Sequence, residues 1–155
     1  TNLGVSGSYI LSALCNKKNA HFITMEGVPG LCEIAAQKFQ KIDTNNNHKI
    51  IVGLYQTTFS KILRSVRKYN IFFIDGNHQK GATLNYFQQL KSVLQQPSIM
   101  IFDDINWSRD MRLAWSIIKD NKDVSYSIDF FKWGIIIIDS HKSKNKKHFK
   151  LHLAY

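Results

Sequence analysis

The apolar positions of the chain fall into two alternating kinds of segment. Short runs rich in β-branched and aromatic residues, at 21–25, 49–53, 71–74 and 99–102, predict strands. Between them lie stripes at helical spacing. Ile10, Ala13 and Leu14 share one face, as do Leu31, Ile34 and Ala35. Phe59, Ile62, Leu63 and Val66 form a third stripe, and Tyr86, Phe87, Leu90, Val93 and Leu94 a fourth. Met111, Ala114, Trp115 and Ile118 form the last. All read most simply as core-facing. Strand–helix alternation with wholly apolar strands predicts a parallel sheet with helices on both faces. The pattern then changes. Residues 124–131 and 133–139 are strand-like with almost nothing between them, so they predict an antiparallel hairpin. Residues 148–153 alternate and predict one more edge strand. The polar stretches 43–48 and 140–147 read as loops.

Composition narrows the picture only slightly. A chain of 155 residues suffices for one domain with one sizeable core, and residues 1–155 are read as a single domain. The net charge of +10 permits an acidic partner. The basic residues are scattered, however, apart from the run at 142–150, and a solvated basic surface is favoured over a nucleic-acid site. No apolar run approaches a membrane span, and no secretory signal is visible. Cys15 and Cys32 sit among apolar residues and read as free thiols, which suits a cytoplasmic setting. The chain begins with Thr1, consistent with a processed or trimmed start.

Acidic residues recur at the ends of the predicted strands. Glu26 follows the first, Asp75 the third, and Asp103 with Asp104 the fourth. In a parallel sheet such residues gather at the carboxyl edge, where open α/β sheets bind ligands. A polyhydroxyl ligand, a metal, or both would account for them. The Gly-containing turn Leu3-Gly4-Val5-Ser6-Gly7-Ser8 leads into a helix, where glycines let a ligand approach the backbone. Glu26, about twenty residues on, suits hydrogen bonding to ribose hydroxyls.

These residues resemble those of a known family. Leu3-Gly4-Val5-Ser6-Gly7 is similar to the S-adenosylmethionine (SAM)-binding first motif of class I methyltransferases, and Ile23-Thr24-Met25-Glu26-Gly27 to their ribose-binding second strand. The segments Phe72-Phe73-Ile74-Asp75-Gly76-Asn77-His78 and Ile101-Phe102-Asp103-Asp104-Ile105-Asn106-Trp107 resemble a bacterial methyltransferase family related to O-methyltransferases. The resemblance implies an α/β, Rossmann-like sheet of seven strands in the order 3-2-1-4-5-7-6, the last strand antiparallel. The family's first strand and N-terminal cap would precede Gly4 and are largely missing from this reading. The resemblance implies cofactor contacts from Gly4, Ser6, Gly7, Glu26 and Asp75. In metal-dependent relatives, acids matching Asp75, Asp103 and Asp104 hold a divalent cation, for which Mg²⁺ or Ca²⁺ would suit. Helix capping by Asp75 and Asp104 is the equal alternative. Asn2 and Ser8 stand where the motif carries an acid and a glycine. After the third family strand stand Leu54 and Tyr55, and Tyr55 could stack on adenine or belong to the core.

The activity implied is methyl transfer from SAM to a small-molecule acceptor, at oxygen, by an in-line displacement that rests on positioning and water exclusion. His78 is the candidate base, with Asp104 as the substitute. Asn106 is read as a substrate contact or as the turn residue before a Ser108 helix cap. Trp107 is read as a flat wall for substrate or as packing on the following helix. A homodimer is compatible with this reading. The competing readings are a decayed, non-catalytic remnant and a nicotinamide-dependent oxidoreductase.

Overall fold

A computed structural model describes residues 1–17, 19–43, 45–140 and 146–152. Thr44 in the first predicted loop, residues 141–145 in the second, and Leu153 at the end of the last predicted strand lie outside these. The chain divides into two compact units, Thr1–Arg64 and Ser65–Tyr155.

The N-terminal unit holds α1 (Val5–Leu14), β1 (Phe22–Glu26), α2 (Pro29–Ile42), β2 (His48–Val52) and α3 (Tyr55–Leu63). β1 and β2 pair in parallel, Phe22 opposite His48 and Glu26 opposite Val52. Pro29 opens α2 at a position that lacks an intrahelical acceptor in any case. The core is Leu11, Ala35 and Phe39, with Phe22, Ile42 and Ile50 packed against it. Phe39 is fully buried and meets Phe22 edge-to-face at 5.9 Å.

Three predicted stripes are corrected here. In α1 the buried residues are Gly7 and Leu11, while Ala13 is exposed. In α2 they are Cys32, Ala35 and Phe39, and Ile34 is 41% exposed. The inward face of α1 is set by a glycine, which carries no hydrophobic signal. Val66, assigned to the third stripe, lies beyond the end of α3 and is exposed.

The C-terminal unit holds β3 (Tyr69–Ile74), α4 (Lys80–Leu90), a 3₁₀ turn (Lys91–Val93), β4 (Leu94–Phe102), α5 (Arg109–Lys119), β5 (Tyr126–Asp129), β6 (Gly134–Ile138) and β7 (Lys147–Lys150). Its sheet runs β3-β4-β6-β5-β7. β3 and β4 are parallel, β6 is antiparallel to both β4 and β5, and β7 is parallel to β5. The predicted hairpin and edge strand are therefore present. In family numbering the two sheets, each taken by itself, read 3-2 and 4-5-7-6, with β7 added at the edge of the second. No strand precedes α1 among the described residues.

Alternation along the strands of this unit places Phe72, Met100, Phe102, Ile136 and Ile138 in the core. α4 and α5 cover that face, Phe87 and Trp115 each meeting Phe102 at 6.4 Å. Gly134 is needed at this contact, since a Cβ there would stand 2.7 Å from the Trp115 ring. The opposite face is also apolar, but Ile71 and Phe73 on it are 63% and 40% exposed. Cover on both faces was the expectation; within this unit helices cover one.

Candidate active site

The first site residues lie in the N-terminal unit, where the chain turns sharply before α1. Asn2 and Gly4 both adopt positive φ, 49° and 77°, and the Gly4 N–H donates to Thr1 O at 3.0 Å. Glu26, at the end of β1, clasps this turn. Its Oε2 accepts from the Asn2 N–H at 2.7 Å and its Oε1 from the Val28 N–H at 3.0 Å. Burial acts to raise the Glu26 carboxyl, but these backbone donors outweigh it and hold the group below its ordinary range.

The glycines serve packing as well as the turn. A Cβ at Gly4 would stand 2.9 Å from the Ala35 Cβ, and one at Gly7 would enter the Phe39 ring. The side of each glycine where a side chain would stand is thus filled by α2. Ser6 lies exposed in the first turn of α1, whose N–H groups have no intrahelical acceptor and whose Gly4 cap offers no side chain. That combination fits a polar or anionic ligand group. Tyr55 is half-buried at the start of α3.

The other site residues lie in the C-terminal unit, at the carboxyl ends of β3 and β4. His78 stands between two acids, its Nε2 3.7 Å from Asp75 Oδ1 and 3.9 Å from Asp104 Oδ2. The Asp75 carboxyl is pushed up by burial and by the neighbouring Asp103 carboxylate. The Asp103 N–H donates to Ile74 O at 3.0 Å, continuing the β3–β4 ladder. Its Oδ1 accepts from the Asp104 N–H at 2.9 Å, and Asp104 takes φ 53°. The expected gathering of acids is therefore found for Asp75, Asp103 and Asp104, with Glu26 in the other unit. No group of three His, Cys, Asp or Glu side chains among the described residues is arranged to hold a metal ion.

Beyond Asp104 the loop is held from below and from the side. Ile105 is buried and its N–H donates to Lys132 O at 3.1 Å. Asn106 Nδ2 donates to Phe131 O at 2.6 Å, a loop-to-loop tie not foreseen for this residue. Trp107 is 74% exposed. Ser108 caps α5 as expected, accepting from the Met111 N–H at 3.1 Å. Asp129 and His152, which support the Phe131 turn, were missed by sequence reasoning.

A family model for a methyltransferase domain matches residues 1–105. The chain belongs to the methyltransferase domain family. The match takes in the Gly turn, Glu26, Asp75, His78 and both loop acids. Solved structures share the fold. The SAM-bound O-methyltransferase TomG of Streptomyces achromogenes, involved in tomaymycin synthesis, is 16% identical, with TM-score 0.72 over 88% of this chain and 69% of that one. The O-methyltransferase of Bacillus cereus in complex with S-adenosylhomocysteine (SAH) is 15% identical, with TM-score 0.62 over 87% and 81%. The SAH-bound methyltransferase PaMTH1 of Podospora anserina is 15% identical, with TM-score 0.60 over 79% and 62%. No curated protein matches the chain. The methyltransferase domain thus has the α/β, Rossmann-like fold expected for it. No helix among its described residues is long and apolar enough to cross a membrane.

Proposed function

We propose that the chain binds SAM and transfers its methyl group to a hydroxyl oxygen of a small molecule, the two units being parts of one methyltransferase domain. The observation that carries the oxygen acceptor is His78, held between the Asp75 and Asp104 carboxylates. In the transfer the methyl carbon forms a bond to the acceptor oxygen while its bond to sulfur breaks. The electron pair goes to sulfur, giving SAH, and the acceptor proton goes to His78 Nε2. The flanking carboxylates stabilise the imidazolium so formed. Asp75 also stands beside the methyl donor in this reading, and Trp107 offers its open ring to the acceptor.

On the cofactor side, Glu26 receives the ribose hydroxyls, and the first turn of α1, with Gly4, Ser6 and Gly7, receives the methionine end. The SAM and SAH bound in the similar solved structures support this assignment. The family match favours it over nicotinamide chemistry. Free Cys15 and Cys32 support a reducing, cytoplasmic setting. Labelled SAM incubated with the protein and a panel of phenols, catechols and sugars tests the reading. Label is expected in an oxygen-methylated product; label found only in nitrogen- or sulfur-methylated products would overturn the oxygen assignment.

A further inference from the structure

Asp129, the last residue of β5, gathers three donors onto one carboxylate. Its Oδ1 accepts from the Phe131 N–H at 2.8 Å and lies 2.9 Å from His152 Nε2. Its Oδ2 accepts from the Trp115 indole N–H at 3.3 Å. Burial acts to raise this carboxyl, yet the bonds from His152, Phe131 and Trp115 hold it below the ordinary range. The turn that follows is strained. Phe131 takes φ 72°, a conformation that costs a bulky residue on the order of 1–3 kcal/mol and persists only where its surroundings impose it. The surroundings here are the Asp129 carboxylate and the His152 ring, which meets the Phe131 ring edge-on at 5.4 Å. The Phe130 N–H to Trp133 O bond, at 2.8 Å, closes the hairpin.

This strained turn presents two successive carbonyls to the loop after β4. Phe131 O accepts from Asn106 Nδ2 and Lys132 O from the Ile105 N–H. The loop that carries Asp104 and Trp107 is therefore tied to the turn at two points. The turn in turn takes its backbone path from Asp129.

We propose that Asp129 is a positioning residue for methyl transfer, which, with His152, holds the Phe131 turn and through it sets the place of the Asn106–Trp107 loop. The proposal rests on the reading above that this loop meets the acceptor. His152 is the titratable partner of Asp129. From α5 the contact is the neutral Trp115 indole, and Lys150 is the register partner of Asp129 on β7. Lys132 belongs to the turn itself. His148 is engaged elsewhere, 2.7 Å from Ser127 Oγ and 3.7 Å from Asp120 Oδ1.

The test is nuclear magnetic resonance of the isotope-labelled protein at one pH, without SAM, beside two variants. In His152→Ala and in Asp129→Asn the Asn106 side-chain amide signal is expected to move away from its parent position, because the Phe131 carbonyl that it donates to loses its support, while the rest of the spectrum keeps its dispersion. An Asn106 amide that keeps its parent position in both variants overturns the proposal. His152 lies on the edge and its variant is readable even if Asp129→Asn does not fold. Because no cofactor is present, failure here is distinct from a failure to bind SAM.

Discussion

The Asp43 carboxylate lies 2.6 Å from His48 Nδ1, tying the end of α2 to the first residue of β2. Both groups are largely buried, with side-chain exposures of 2% and 12%. The His48 ring also stands edge-on to Phe39, 5.5 Å away, at the centre of the N-terminal core. Burial acts to raise the Asp43 carboxyl, but the hydrogen bonds from His48 and the Asn45 N–H prevail and lower it.

A carboxylate whose pKa is lower in the folded state than in the unfolded one contributes stability above its unfolded value, near 3.9, and loses it as pH falls through the folded value. Thermal unfolding monitored from pH 6 downward should therefore show a loss of stability beginning near about pH 4. Asp43→Ala should cost about 1–3 kcal/mol at pH 6 and flatten this dependence. An Asp43→Ala curve parallel to the parent's through this range would argue against the pair.

Gly7 is predicted to tolerate no side chain. Gly7→Ala places a methyl within the space of the Phe39 ring, which is walled in by Phe22 and α2. Urea denaturation should show a loss of about 1–3 kcal/mol, against about 1 kcal/mol gained by alanine at an open helical site. Gly4→Ala adds the cost of φ 77° to a contact with Ala35 and should be no better tolerated.

Ser108→Ala removes the side-chain acceptor at the start of α5. A loss of about 1 kcal/mol is expected in chemical denaturation, with Ser108→Asp close to the parent because it restores the acceptor and suits the helix N-terminus. An unchanged midpoint in the alanine variant would show that the cap contributes nothing.

His78→Ala should separate chemistry from binding. With the acceptor base removed, methyl transfer should fall by about 10²–10⁴-fold. SAM affinity should stay within about twofold, since no cofactor contact is assigned to His78. An equal fall in both would mean that His78 acts on the cofactor, and unchanged turnover would pass the role to Asp104.

Much of this was legible along the chain. The strands after which Asp75 and Asp104 stand could be read from apolar runs, and strand direction then brought their loops together on His78. The hairpin was legible because nothing separates its two strands that could serve as a crossover. What escaped was set by contacts distant in sequence. Gly7 decides the inward face of α1 through Phe39, thirty-two residues away by number, and Ile34 is exposed because Cys32, Ala35 and Phe39 take the inward face of α2. Asp129 and His152 meet only because β7 pairs with β5. Neither residue lies in a motif, and an Asp at the end of a strand gives no sign of the turn it supports.

The central claim, that this member of the methyltransferase domain family uses SAM, is tested most directly by calorimetric titration of the protein with SAM, beside its Glu26→Ala variant. One molecule of SAM bound per chain is expected, with affinity at least about tenfold weaker in the variant as the ribose hydroxyls lose a charged acceptor. No heat of binding by the unaltered protein at millimolar SAM, or equal affinity in the two, would contradict the account.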